Sequence, residues 1–225
     1  MKTNLFTKGL AAGLLLIIAF AFHSCNGERL VANNNIISET RDISGFERIE
    51  AGGANTVHVV YGDNFKIELK GSSNLIQAYE TKIEGESLTL RYKDDVNVDD
   101  DDVEVFVTLP VLNGLTLSGS GDMDVKGRFP EAKQFIVTIN GSGDINISEN
   151  FSCVSLEVDI SGSGKAELSN LQSVRSEVTI SGSGDTYVHA EEELDVRING
   201  SGTVYYKGSP RVKSDINGSG QVKRL

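Results

Sequence analysis

The sequence predicts an all-β protein wound as a parallel β-helix, with coils of about 20 residues preceded by a less regular run of strands. Three observations carry this. First, Gly-Ser-Gly occurs six times, at 119–121, 141–143, 162–164, 182–184, 200–202 and 218–220, in steps of 22, 21, 20, 18 and 18 residues. Second, apolar residues keep a fixed phase around it. Leu117, Ile139, Ile160, Ile180, Ile198 and Ile216 stand two before the first glycine, and Leu115, Val137, Val158, Val178 and Val196 stand four before, with Ser214 as the exception. Met123, Ile145, Ala166, Thr186, Val204 and Val222 follow two after the second glycine. Polar residues alternate with these, which is the period of a strand buried on one face. Third, no helical period of useful length occurs after the first 24 residues.

Residues 1–24 read as an export signal. Lys2 and Lys8 precede an apolar run at 10–22. That run is shorter than the roughly 20 residues of a membrane-spanning helix. Phe22-His23-Ser24-Cys25 resembles a bacterial lipoprotein box, although Phe22 replaces the usual Leu and His23 is unusual there. The resemblance makes Cys25 the lipid attachment site and the mature N-terminus. Residues 25–37, with Asn33-Asn34-Asn35, read as a polar tether holding the domain clear of the bilayer.

Residues 38–225 are expected to form one domain. Within it, 38–112 carry irregular or capping strands. Gly52-Gly53-Ala54-Asn55 reads as a decayed corner. Alternating segments follow at 56–61, 65–69, 87–92 and 103–109, the last ended by Pro110. Their expected role is to cap or extend the stack, since an uncovered solenoid end exposes core and unpaired edge. The run 94–102, with six aspartates, reads as a solvated loop. Its clustered carboxylates suit Ca²⁺, but EF-hand spacing is absent. Residues 113–225 hold the six regular coils. A Gly/Ser linker would need no phased apolar flanks. Antiparallel hairpins are the closer rival, because Asn140-Gly141, Asn199-Gly200 and Asn217-Gly218 suit two-residue turns. The near-constant period favours coils.

The formal net charge is −11, and −13 without residues 1–24, which hold two lysines and no acid. That argues against a nucleic-acid partner. With Cys25 committed to lipid, Cys153 has no internal partner and is expected to be a small buried residue, not a nucleophile.

No catalytic, cofactor or metal site is expected. His58 and His189 lie on alternating strands with no neighbouring ligand pattern. The six corner serines are too equivalent to be nucleophiles. Asp122, Asp144 and Asp185 follow Gly-Ser-Gly as in Ca²⁺-binding β-rolls, but those repeat every nine residues. Outward carboxylates such as Asp124, Glu157, Asp159, Glu167 and Glu177 leave a polysaccharide-acting β-helix enzyme as an alternative. Coils this short leave no room for cleft walls. The outward row Asp124, Asn146, Glu167, Tyr187, Tyr205 and Lys223 is the candidate binding surface, with Tyr187 and Tyr205 as aromatic contacts for a glycan or protein ligand.

Taken together, Ile43-Ser44-Gly45-Phe46-Glu47-Arg48-Ile49, the Gly62 turn, Gly71-Ser72-Ser73-Asn74-Leu75, Gly85-Glu86-Ser87-Leu88-Thr89-Leu90 and the repeated corners resemble the head GIN domain family, which carries an auto-transporter adhesin label. The likeness covers residues 40–222. It implies a right-handed parallel β-helix on an exported, lipid-anchored envelope protein, outer-membrane in the present case. It transfers no catalytic or binding residues. The expected partners are therefore the membrane through the lipid, an unidentified glycan or protein, and a second copy if the open C-terminal edge self-associates.

Overall fold

A computed structural model describes residues 28–225. The signal segment and Cys25 lie outside them. The strands of the N-terminal region are β1 (Glu28–Val31), β2 (Ile36–Arg41), β3 (Arg48–Gly53), β4 (Thr56–Tyr61) and β5 (Lys66–Ser72). A short helix, α1 (Ser73–Ala78), precedes β6 (Tyr79–Glu84), β7 (Ser87–Tyr92), β8 (Val96–Asp99) and β9 (Glu104–Leu109). The coils then run through β10 (Gly114–Gly119), β11 (Asp122–Lys126), β12 (Ala132–Gly141), β13 (Asp144–Ile147) and β14 (Phe151–Gly162). They continue through β15 (Lys165–Gly182), β16 (Asp185–Gly200), β17 (Thr203–Lys207), β18 (Arg211–Gly218) and β19 (Gln221–Arg224).

From residue 114 the chain is a β-solenoid of about five turns, since parallel coils bury a common core that no coil could bury alone. Every pairing among β10–β19 is parallel. This excludes the hairpin alternative. Corner stacks on corner: Gly119 faces Gly141, then Gly162, Gly182, Gly200 and Gly218 in unbroken register. The phased isoleucines form one column. Ile139, Ile160, Ile180 and Ile198 are at most 1% exposed, whereas Ile216 in the last coil is 37% exposed. Each fully buried aliphatic side chain contributes about 1.5–3 kcal/mol relative to exposure. Thr186 breaks the apolar column after the corner, but its Oγ1 donates to the Ala166 carbonyl at 3.0 Å, which satisfies the buried hydroxyl.

The corner itself is fixed by one acceptor per coil. The Gly119 carbonyl accepts the Ser142 and Gly143 N–H groups at 2.9 and 3.2 Å. Gly141 does the same for Ser163 and Gly164 at 2.9 and 3.1 Å. At Gly162, φ is +130°, and a Cβ would overlap the Gly141 carbonyl oxygen. At Gly164 a Cβ would meet the Gly143 carbonyl and lie 2.7 Å from Ile139 Cγ2. Both glycines are therefore obligatory, and for different reasons. The serine between them points to solvent.

The stack does not begin where the regular repeat begins. β3 and β4 form a coil directly against β10 and β11, with Gly53 opposite Gly119. The Gly53 carbonyl accepts from Ser120 and Gly121 at 3.0 and 3.1 Å, so the decayed corner still works as a corner. β7 and β9 then pair in parallel on the other side of β3 and β4. Beyond them the direction reverses: β6 runs antiparallel to β7, and β5 is antiparallel to both β9 and β2. These strands close the N-terminal end.

Three expectations need correction. The predicted 25–37 tether is built structure from Glu28 onward: β1 pairs with β8 over four residues, and Leu30 packs on the core. Asn33 and Asn35 amide groups donate to Ser73 Oγ at 3.0 and 3.1 Å, and the Asn34 N–H donates to Ser72 Oγ at 3.0 Å. The acidic run is not a free loop. It contains β8, and Asp101 accepts from Asn55 Nδ2 at 2.7 Å, from the Tyr92 hydroxyl at 2.6 Å and from the Val103 N–H at 3.0 Å. Burial, then the bond to Asp101, pushes the Tyr92 pKa above its ordinary value, so the hydroxyl remains a donor. Asp102 accepts from the Ser72 N–H and hydroxyl at 2.8 and 2.7 Å. Finally, the region 38–112, expected to carry only strands, contains α1, a helix of under two turns that seats Leu75 and Ile76 in the core.

Gly162→Ala should destabilise the fold by about 3 kcal/mol or more in urea unfolding, from backbone strain plus a steric clash, while Ser163→Ala stays within about 0.5 kcal/mol. Asp101→Ala should cost about 2–4 kcal/mol by stranding three donors, with Asp95→Ala near neutral. Cys153 is 1% exposed, and burial, followed by the nearby Glu131 charge, pushes its thiol pKa up to about 12. Iodoacetamide at pH 8 should leave it unmodified in the native protein and alkylate it in urea.

Candidate surface site on the outward ladder

Residues after each corner alternate inward and outward, so outward side chains of successive coils stack at the strand spacing of about 4.8 Å. The predicted row is one such ladder. Asp124 faces Asn146, which faces Glu167, then Tyr187, Tyr205 and Lys223. The structure extends it toward the cap through His58 and Phe106. Those two rings stack at 4.8 Å, and His58 Nδ1 lies 3.9 Å from Asp124 Oδ2.

Tyr187 and Tyr205 stack on each other, with centroids 4.5 Å apart and planes 10° from parallel. Lys165 Nζ lies 5.9 Å from the Tyr187 centroid, and Lys223 Nζ lies 5.7 Å from that of Tyr205. The result is a cation–ring–ring–cation pile. Its ring faces are already occupied. A flat sugar stacking on Tyr205 would have to displace an ammonium group. What the pile presents to solvent is ring edges, two phenol groups and two flanking cations. Partial desolvation, then the neighbouring Tyr205, Glu167 and Asp185, raises the Tyr187 pKa, keeping its hydroxyl protonated at physiological pH.

The carboxylates weighed for chemistry serve the stack in several places. Asp144 Oδ1 accepts the Lys165 N–H at 3.0 Å, and Asp185 Oδ1 accepts that of Thr203 at 2.7 Å. Glu177 pairs with Arg197 at 2.5 Å. Asp124 and Glu167 line a shallow groove of about 380 Å³ with Asp122 and Asp144. They stand two ladder steps apart, or about 9.6 Å at the strand spacing. Retaining glycosidases hold their carboxyl pair at about 5–5.5 Å and inverting ones at about 6.5–9.5 Å, so two ladder steps fit the retaining geometry poorly and stand at the upper edge of the inverting one. Among the described residues, no group of three or more His, Cys, Asp or Glu is placed to hold a metal ion.

Two concave features escaped the sequence reading. One, of about 470 Å³, lies against the return segments and is lined by Arg128, Phe129, Asn150, Asn170, Gln172 and His189. The other, of about 730 Å³, lies under β8, between Arg91, Tyr92, Lys93 and Asp94 on one side and Ala54 and Ser120 on the other. Both are bounded by return segments or cap strands, whose lengths vary, so no periodic signal marks them.

The sequence profile described as "Putative auto-transporter adhesin, head GIN domain" matches residues 45–210. No curated protein matches the chain. Among solved structures, a "putative adhesin" from Bacteroides fragilis superposes with TM-score 0.68 at 21% identity, over 87% of this chain and 100% of that one. A "putative adhesin" from Parabacteroides merdae gives 0.62 at 17% identity, over 88% and 99%. A "putative lipid binding protein" from Parabacteroides distasonis gives 0.59 at 21% identity, over 88% and 100%. At these identities the likeness shows the shared fold. The profile spans most of the chain and includes five of the six corners derived above, so the chain belongs to the head GIN domain family of auto-transporter adhesin type.

Proposed function

We propose that this is a non-catalytic, lipid-anchored protein of the bacterial cell envelope, held in the outer membrane by Cys25, that presents its solenoid as a binding surface. The observation that carries the binding role is the Lys165–Tyr187–Tyr205–Lys223 pile. It is a rigid, partly exposed aromatic patch with cations at both ends, on a protein that is otherwise strongly acidic. Phenol hydroxyls can donate to and accept from ring hydroxyls, while the ammonium groups favour carboxylate or sulfate. The ligand class that fits is an acidic glycan approached edge-on. The adhesin family supports an extracytoplasmic role. The lipid box and the apolar run before it support the anchor.

A glycan array probed with the mature domain should favour acidic oligosaccharides. Tyr187→Thr with Tyr205→Thr should weaken that binding at least tenfold, about 1.4 kcal/mol or more, with an unchanged circular dichroism spectrum. Unaltered binding by the double variant would remove the pile as the site. Mass spectrometry of the mature N-terminus should show a diacylglyceryl-modified Cys25, and Cys25→Ser should move the protein to the soluble fraction.

A further inference from the structure

We infer that the capped end of the solenoid, centred on β1 and the β7–β8 turn, is the surface that meets the lipid headgroups, and that the solenoid stands on this end. The inference rests on the reading that Cys25 carries the lipid. The argument begins with chain length. The described structure includes β1 from Glu28, and only Asn26 and Gly27 separate Glu28 from Cys25 in the sequence. Consecutive Cα atoms are 3.80 Å apart, so the Cys25 Cα lies within about 11 Å of that of Glu28. A 13-residue tether would have allowed any orientation; this one does not. β1 is itself fastened to the cap. It pairs with β8 from Glu28 opposite Val96 to Val31 opposite Asp99, Arg29 forms an ion pair with Asp99, and Asn74 Nδ2 donates to the Val31 carbonyl at 2.8 Å.

The chemistry of this end agrees. β1, β2 and β6 are the outer strands of the cap, each paired on one side only. They expose Val31, Ile36 and Ile83 at 51%, 53% and 38%. Arg29 and Lys82 stand on this end too, but Arg29 pairs with Asp99 and Lys82 with Glu80 and Glu84, so the exposed apolar side chains, rather than free charge, suit it to the headgroup boundary.

Distance then follows from the fold. Seven parallel pairings lead from β7 to β18, about 34 Å at 4.8 Å per step. Tyr187 and Tyr205 belong to the coils near the far end, so the binding pile is carried away from the membrane.

The test uses the full-length lipidated protein with Cys153→Ser, reconstituted in phosphatidylethanolamine/phosphatidylglycerol vesicles containing a nickel-chelating headgroup lipid. Single spin labels are placed at Asp95→Cys, Asn146→Cys and Lys213→Cys, all exposed positions. The expected result is strong nickel-induced relaxation at 95, weak relaxation at 146 and none at 213. Equal relaxation at 95 and 213, or a stronger effect at 213, on vesicles that carry the protein through flotation would overturn the orientation while leaving the anchor intact. Failure of the protein to float with the vesicles would overturn the lipid reading and this inference with it.

Discussion

The structure depends on the carbonyl oxygen of the first glycine in each corner. It receives N–H groups from the next coil at distances near 3 Å, and nothing larger than a hydrogen fits on the glycine stacked above it. That contact fixes both vertical spacing and register. A slip by one residue would place a Cβ on the carbonyl and turn every isoleucine to water. The apolar columns supply most of the favourable free energy, but the corner decides which residues enter them. Variation is absorbed elsewhere. The return segments shorten as the period falls from 22 to 18 residues, and β15 and β16 take up the difference through register shifts around Glu167–Gln172 and Ser173–Arg175.

Such a column must stop, and the two ends stop differently. At the cap, Asn55 stands where a second corner glycine would be. Its side chain fills the space that a preceding coil would occupy and donates to the Val103 carbonyl at 3.0 Å as well as to Asp101. Asp101 and Asp102 then tie the β8–β9 connection to Tyr92 and Ser72, and Ser72 ties in the Asn33–Asn35 segment. A chain of polar contacts thus substitutes for the missing coil. At the other end β18 and β19 have one neighbour each, and β18 is exposed along its whole length. Arg211 and Lys213 pair downward with Glu193 and Asp195, so its charges serve the stack beneath.

The solenoid was legible in the sequence because its constraints recur at a fixed phase, and six repetitions of a steric requirement cannot be mistaken for composition. The cap was less legible because its constraints act once. Asn33-Asn34-Asn35 has the composition of a linker, and only the folded chain brings it to Ser72 and Ser73, almost 40 residues on. The aspartates at 101 and 102 look like their solvated neighbours, yet their partners include Ser72 of β5, Tyr92 of β7 and Asn55 of the first corner. The helix at 73–78 is under two turns long, too short for a period to register. The row containing Tyr187 and Tyr205 could be read from phase alone. That its rings would face each other, with lysines over the outer faces, could not, since it depends on the strand spacing matching the thickness of stacked rings.

That match bears on what the surface can recognise. In a ladder, identical flat side chains are held near van der Waals separation and satisfy each other, so an aromatic row on a solenoid loses its faces as it gains rigidity. Recognition must then come from edges, hydroxyls and the charges that terminate the pile. The two hydroxyls stand one coil pitch apart, the two ammonium groups lie at the ends of the pile, and all are positioned by the same corners that order the core. On the proposed reading, an acidic polymer would span the coils between the two ammonium groups without any loop having to move. Short connections between the described coils suit an extended contact of this kind.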